Sequence, residues 1–116
     1  MMSIQTQVQA VIDGILTGKL LETFDTYYAD NVVMSENRQE ERVGKAANRE
    51  YEQKFLGNVQ EFHGAQVGRI LVDGDHAAVE WTFDLTFKGG NRVKMQQVTI
   101  QTWKDGKIIR EDFYHG

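Results

Sequence analysis

Two ionisable side chains near the end of the chain, Glu111 and His115, have residue types suited to acid–base chemistry. If this segment is a strand, residues four apart share one face and lie roughly 13 Å apart, so they do not touch. A glutamate buried among aromatic side chains has a raised pKa, which suits proton transfer at neutral pH. The alternative is a buried glutamate that only accepts hydrogen bonds from Gln97, Gln101 or Thr99. His115 is either a pocket acid, base or donor, or part of a frayed chain end.

A second carboxylate, Glu36, lies in the polar segment 35–38. It is either a general base at the mouth of a pocket or one charge in a solvated loop. His63 precedes a glycine where a bulge would upset strand alternation, so its facing stays open, and His76 follows a turn and is expected in solvent. The three histidines show no helical ligand spacing and no HExxH-like motif, so neither a dedicated metal site nor a cofactor is expected.

Length and composition limit the classes of function. The 116 residues suffice for one domain, 1–116, with a real core. A net charge of -4 without a basic cluster makes nucleic acid and anionic membrane unsuitable partners. The absence of cysteine excludes disulfides, thiolate metal sites and cysteine nucleophiles. Neither a signal peptide nor a membrane-length apolar run is visible, so a cytoplasmic protein is expected.

The amino-terminal half predicts helices and one short strand. Apolar residues recur at helical spacing in three segments, flanked by serine, glycine or Asp-Asn residues that favour helix ends: 3–18, 20–30 and 44–57. The apolar segment 32–34 is too short for a helix and suits a strand. The polar segment 35–42 has no periodicity and is predicted to be a loop.

The carboxy-terminal half predicts four long strands. Asp-Gly, Gly-Gly-Asn and Asp-Gly sequences lie between alternating runs and are typical of tight hairpin turns. The strands are expected at 59–72, 75–88, 92–104 and 107–115, with antiparallel neighbours. Strands of this length predict a sheet that curls, so the fold class is α+β, with amino-terminal helices packed on a long antiparallel sheet.

The third long strand decides whether the molecule is hollow. In the second long strand, alternation places Trp81 and Phe83 on an aromatic core face. The third strand has no clean apolar face: either a polar set faces inward with Trp103, or Val98 and Ile100 face inward and the core is solid. The polar set comprises Gln97, Thr99 and Gln101. Buried amides and hydroxyls need partners, which a ligand or water in a cavity supplies.

The order of elements, together with FDTYYADNV at 24–32, VGK at 43–45 and WKDGKI at 103–108, resembles the nuclear transport factor two-like superfamily. This superfamily includes the SnoaL-like polyketide cyclases and the ketosteroid isomerases. The resemblance covers nearly the whole chain. It implies a cone-shaped α+β barrel, in which helices pack on a strongly curved antiparallel sheet that encloses a pocket. It also implies that the polar set of the third strand faces this pocket.

The resemblance separates two activities within the family. Glu36 falls where ketosteroid isomerases keep their general base. Ile12 and Thr99 fall where those enzymes keep an oxyanion tyrosine and a proton-sharing acid. Without these two donors the isomerase machinery for stabilising a dienolate is lacking, so that activity is rejected. The SnoaL-type cyclases instead imply an acid–base residue in a hydrophobic cavity.

The resulting hypothesis is a SnoaL-like small-molecule pocket protein, with cofactor-free acid–base chemistry such as isomerisation, cyclisation, dehydration or hydrolysis. Glu111 is the expected proton-transfer group, supported by Glu36 and His115. Contacts to a small apolar or amphipathic ligand are expected from Gln97, Thr99, Gln101, Trp81, Phe83, Trp103, Phe113 and Tyr28. The alternative is a non-catalytic ligand-binding or dimerisation module. If Val98 and Ile100 face outward, they form an exposed apolar stripe, and the resemblance implies a homodimer through this outer sheet face.

Overall fold

Three helices cover one side of a six-stranded sheet in the computed structural model, which describes residues 3–116. The helices are α1 (Ile4–Leu16), α2 (Leu20–Tyr27) and α3 (Lys45–Gly57). The strands are β1 (Tyr28–Glu36), β2 (Glu41–Val43), β3 (Val59–Asp73), β4 (His76–Phe87), β5 (Arg92–Lys104) and β6 (Lys107–His115).

The first helix forms for the reasons that its sequence suggests. The Ser3 side chain accepts a hydrogen bond from the backbone N–H of Thr6 and so caps the helix. Val8, Val11 and Ile12 lie on one face and are buried in the core. Through this face α1 packs in the core, and it contacts α2 and β3.

The sheet order is β2-β1-β6-β5-β4-β3, and β3 to β6 form the predicted run of antiparallel hairpins. The predicted strand ends agree with the observed ones to within one residue. The sheet is mixed, however, because β1 pairs with β6 in parallel, and it is open, because its edge strands β2 and β3 do not pair with each other. The strand predicted at 32–34 runs from Tyr28 to Glu36, and the loop predicted at 35–42 includes the end of β1 and the first two residues of β2. Pairing with distant strands extends these segments, and local periodicity carries no signal for it.

The inner face of the sheet combines apolar core with polar side chains. On β5, Thr99, Gln101 and Trp103 are buried inward, while Val98 and Ile100 are half-buried on the outer face. Strict alternation would place Ile108 outside, but it is fully buried. The cause is a bulge: Thr102 and Trp103 pair with Arg110 and Ile108, which leaves one extra residue in β6.

Candidate functional site

A cavity of about 630 Å³ lies between the helices and the inner face of the sheet. Residues from all three helices and from β1 and β3 to β6 line it. Tyr51 of α3 and Phe62 of β3 line the cavity and are also 40% and 46% exposed, so they mark its opening. The polar set of β5 lines the cavity, and a solid core between helices and sheet is therefore wrong.

Glu111 lies deep in this cavity and is only 3% exposed. The Tyr28 hydroxyl donates a short hydrogen bond to its Oε1, and Nε2 of Gln101 donates to its Oε2 at 3.2 Å. Burial raises the pKa of Glu111 to about 7, although these two hydrogen bonds favour the charged form and oppose the rise. Nearby Glu36 and Asp112 raise the pKa further. At neutral pH the carboxyl group can therefore both accept and donate a proton.

A third side chain fixes the orientation of Gln101. Nε1 of Trp103 donates a hydrogen bond to Oε1 of Gln101 at 3.0 Å. This bond sets which end of the amide faces Glu111, because the amide oxygen is occupied and its nitrogen is left to donate. Trp103 is fully buried and lies behind Gln101, outside the set of side chains that line the cavity. This hydrogen bond orients Gln101, and the predicted ligand contact from Trp103 stays a prediction.

A second carboxyl group enters the cavity from the helical side. Glu52 of α3 lines the cavity, and burial raises its pKa to about 7, with a further contribution from the negative charge of Glu111. Nearby Arg42 opposes the rise, whereas Glu36 adds to it. The two carboxyl groups thus come from different layers of the fold and face one apolar space.

Glu36 belongs to an ion-pair cluster at the edge of the cavity. Its Oε2 lies 3.4 Å from a guanidinium nitrogen of Arg42, and its Oε1 lies 3.7 Å from Nε2 of His115. Glu36 is the last residue of β1, so the solvated-loop interpretation is wrong. The His115 backbone N–H donates to Oδ1 of Asn37, and the residue ends β6, so this chain end is not frayed.

Asn48 holds this cluster from α3. Its side chain is fully buried and accepts a hydrogen bond from Nε of Arg42 at 3.1 Å. Its amide nitrogen lies within hydrogen-bond distance of the carbonyl oxygens of Val32, Arg42 and Gly44. The guanidinium group of Arg42 also lies 3.6 Å from the ring centroid of Tyr51. Asn48, Tyr51 and Glu36 therefore hold Arg42 in place, and its positive charge neutralises Glu36.

The structure brings most of the predicted site residues to this one cavity. The residues that line it include Glu111, Glu36, His115, Gln97, Thr99, Gln101, Trp81, Phe83, Phe113 and Tyr28. The remaining histidines lie elsewhere: His63 contacts Thr86 at 2.7 Å, and His76 contacts Thr102 at 3.2 Å, and both are exposed. Which of the lining residues act on a ligand stays a prediction.

Glu52 is the site residue that the sequence interpretation missed. The helical spacing of Ala47, Tyr51 and Phe55 predicts that they form the buried face of α3, but Ala47 is exposed and the most buried residue is Asn48. Asn48, Glu52 and Phe55 follow the spacing i, i+4, i+7 and share one helix face. The spacing was therefore a usable signal, although a charged residue in a polar stretch is ordinarily assigned to solvent.

Within residues 3–116, no cluster of three or more His, Asp or Glu side chains has a geometry that could hold a metal ion. None of the helices in that range is long and apolar enough to cross a membrane.

Comparison with solved structures supports the fold. A SnoaL-like polyketide cyclase candidate from Mesorhizobium loti is 32% identical, with a TM-score of 0.88 over 98% of this chain and 100% of that chain. A nuclear transport factor two-like protein of unknown function from Burkholderia pseudomallei K96243 is 11% identical, with a TM-score of 0.85 over 100% and 92%. A SnoaL-like polyketide cyclase candidate from Jannaschia sp. CCS1 is 14% identical, with a TM-score of 0.80 over 93% and 84%. The latter two show the fold alone.

Among proteins with curated functions, none matches this sequence significantly. The family model of the SnoaL-like domain matches residues 8–111, which is most of the chain. The cone-shaped α+β fold, the cavity beneath the helices and this match agree with one another: the chain belongs to the SnoaL-like domain family.

Proposed function

We propose that this protein binds a small, largely apolar molecule and catalyses proton transfer on it, with Glu111 as the proton-transfer group. The observation that carries the proposal is a buried carboxyl group that faces a cavity and accepts hydrogen bonds at both oxygens. Such a carboxylate is held in one orientation, and its remaining lone pairs could accept a proton from a ligand in the cavity.

The hydrogen bonds and the burial of Glu111 act in opposite directions, and the balance suits this chemistry. Tyr28 and Gln101 satisfy the anion, whereas the apolar surroundings favour the neutral acid. Because the pKa is about 7, a large fraction of molecules carries the anion at neutral pH, and this anion is a stronger base than an ordinary glutamate.

Glu52 offers a second proton-transfer group on the opposite wall. Glu111 would take a proton from a C–H or O–H bond of the ligand, and Glu52 in its neutral form would deliver a proton at another atom. Proton removal at one position and delivery at another is the balance of an isomerisation, an aldol-type cyclisation or a dehydration. Two carboxyl groups with pKa values of about 7 provide a base and an acid at the same pH.

The walls indicate the shape of the ligand. Trp81 and Phe83 stack with ring centroids 5.0 Å apart and form a flat apolar surface on β4. Gln97 and Thr99 of β5 line the cavity beside them and offer polar contacts. A compact molecule with a flat apolar body and a few polar groups therefore suits the cavity.

Deuterium exchange tests the proposal without knowledge of the natural ligand. β-Tetralone is a compact apolar ketone with acidic C–H bonds, and its uptake of deuterium from D₂O is followed by NMR. The wild-type protein should accelerate the exchange, and Glu111→Gln should reduce the acceleration roughly a hundredfold or more. Glu50→Gln is the matched control, because Glu50 lies exposed on α3 and forms its ion pair with Lys54 on the helix surface.

The second candidate function is a non-catalytic binding module with the same cavity. The half-exposed apolar rim, including Leu56 and Phe62, favours it, because such a rim suits reversible entry of an apolar ligand. Binding of β-tetralone without accelerated exchange, together with equal affinity of Glu111→Gln, would favour this module over the enzyme.

A further inference from the structure

The charges in the cavity are unbalanced. Four acidic side chains line the cavity: Glu22 is exposed on α2, Glu36 is neutralised by Arg42 and lies beside His115, and Glu52 and Glu111 lie inside. Glu52 and Glu111 form no ion pair with any Lys, Arg or His of residues 3–116. A molecule that enters therefore meets two carboxyl groups whose negative charge the described part of the chain does not pair.

Aromatic rings enclose the same space. The stacked Trp81 and Phe83 form one wall, and Tyr28 and Phe113 flank Glu111. The faces of aromatic rings attract cations, and the attraction grows when water is excluded. The protein already uses this interaction at the cavity edge, where Arg42 lies over the ring of Tyr51. Rings and carboxyl groups together form a surrounding suited to a positive charge.

Thr99 supplies an independent sign of a missing partner. It is 2% exposed, it lines the cavity, and its hydroxyl oxygen has no hydrogen-bond partner within the described structure. Across the sheet, Thr99 pairs with Phe113, and Gln101 pairs with Glu111. Thr99 is therefore the diagonal neighbour of Glu111 on the same face, and diagonal neighbours lie about 7–8 Å apart along the backbone. Leaving a buried hydroxyl unpaired costs stability, and a ligand group that reaches it from the cavity would remove that cost.

We propose that the cavity selects a compact apolar molecule that carries an organic ammonium group, with this group between Glu111 and Glu52 and within reach of the Thr99 hydroxyl. The ammonium N–H bonds would donate to the carboxylates and to Oγ1 of Thr99, and the apolar body would lie on Trp81 and Phe83. This inference rests on the proposed role of the cavity as a ligand site. It adds the charge of the substrate, which the proton-transfer proposal leaves open.

If an ammonium ligand binds, the cavity should release protons, and this release can be measured. Without a ligand, burial keeps Glu52 and Glu111 partly protonated at neutral pH, and the charge of Glu111 adds to the raised pKa of Glu52. The other titratable or charged groups around them are Tyr28, Glu36, Arg42, Tyr51 and Asp112, with His115 beside Glu36. A bound ammonium group would lower the pKa of both carboxyl groups, so binding at neutral pH should release part of their protons to the buffer, and the fraction of Glu52 that stays neutral remains the acid of the proton transfer. A neutral ligand of the same shape would release none.

Three probes of one shape test the inference: naphthalenemethylamine, naphthalenemethanol and naphthoic acid, titrated by calorimetry into the wild-type protein. We expect the amine to bind roughly tenfold more tightly than the alcohol and the acid to bind more weakly still. Repeating the amine titration in two buffers with different ionisation enthalpies should reveal proton release.

Substitutions in the cavity test which residues cause the tighter binding of the amine. Glu111→Gln and Glu52→Gln should each reduce the preference for the amine over the alcohol, whereas the exposed control Glu50→Gln should keep it. Thr99→Val keeps the shape of the side chain and removes the hydroxyl, so it should weaken amine binding roughly fivefold or more without destabilising the free protein. If Glu52→Gln fails to fold, Thr99→Val and the buffer comparison still decide the outcome.

The outcomes separate this inference from the proposed function. Equal or tighter binding of the alcohol or the acid would overturn the inference, and accelerated exchange of β-tetralone would then still support proton transfer. Preferred binding of the amine without ketone exchange would support the inference and contradict the enzyme. Failure of all three probes to bind at millimolar concentration would overturn the ligand site itself, and the inference with it.

Discussion

The Tyr28 hydroxyl donates a hydrogen bond to Oε1 of Glu111 across 83 positions of sequence. Tyr28 is the first residue of β1, and the parallel pairing of β1 with β6 begins at Tyr28 and Ile108. This pairing is therefore what brings the phenol to the carboxyl group. Burial raises the pKa of Tyr28 well above its usual value, and the charge of Glu111 adds to the rise, so the phenol remains a donor.

Tyr28→Phe should raise the pKa of Glu111 further above 7, because it removes a hydrogen bond that favours the charged form. The pH profile of any activity that needs the Glu111 anion should then shift to higher pH, which a purely structural role of Tyr28 would not cause. A carbon-detected NMR titration of the glutamate carboxyl groups measures the shift directly. Tyr27→Phe is the control, since Tyr27 packs edge-on against Trp103 and lies outside the cavity lining.

Glu111→Gln should change how stability depends on pH. Below about pH 4.5 the carboxyl group is protonated in both the folded and unfolded states, so its raised pKa has no effect. Between about 4.5 and 7 the unfolded state loses its proton first, so rising pH lowers the stability of the folded protein. When the pH is raised from about 5 to about 8, the free energy of unfolding should therefore fall by about 2 kcal/mol less in the variant than in the wild type.

Urea denaturation at the two pH values measures this difference, and Glu50→Gln serves as the control that should follow the wild type. Parallel pH dependence in Glu111→Gln and the wild type would mean that Glu111 titrates as an ordinary exposed glutamate.

Gly14→Ala should destabilise the contact between α1 and α2. A Cβ atom at Gly14 would overlap the hydroxyl group of buried Thr23 and lie 3.1 Å from its Cβ atom, so the helices would have to separate. Overpacking of this kind costs about 1–3 kcal/mol, and the better helix propensity of alanine offsets about 1 kcal/mol of it. Thermal unfolding should show a lower Tm for Gly14→Ala. Gly57→Ala is the matched control: it has open space around it and should keep or raise the Tm.

The homodimer expected through the outer sheet face stays a prediction. Val98 and Ile100 lie half-buried there; Val98 pairs with Glu80 and Tyr114, and Ile100 pairs with Ala78 and Asp112. These apolar side chains with charged neighbours suit contact with the same face of a second copy. Wild-type protein should sediment as a dimer and Val98→Asp as a folded monomer, while Gln53→Asp on exposed α3 should remain dimeric. A monomeric wild type at micromolar concentration would rule the dimer out.

Much of the fold was predictable because its signals are local. The glycines at 74, 89, 90 and 106 adopt positive φ angles, as tight turns require, and this fixes the four long strands. The Ser3 cap likewise fixes the start of α1. The alternation of side chains along β6 then places Glu111 and Phe113 on the inward face of the sheet, as predicted.

The rest depends on contacts between distant segments. The parallel pairing of β1 with β6 and the bulge that turns Ile108 inward have no signature in periodicity. Whether Gln97 faced a cavity or solvent was open from the pattern, and the family resemblance pointed to the cavity. Glu52 shares a helix face with Asn48, but only the approach of α3 to the sheet turns that face toward Glu111.

The pKa of the Glu111 carboxyl group in the free protein tests the central claim most directly. Site-resolved NMR titration of the carboxyl carbon, assigned by comparison with Glu111→Gln, should give a midpoint near 7. A midpoint near the ordinary value of 4.5 would contradict the claim, because Glu111 would then be a permanently charged side chain rather than a proton-transfer group poised for neutral pH.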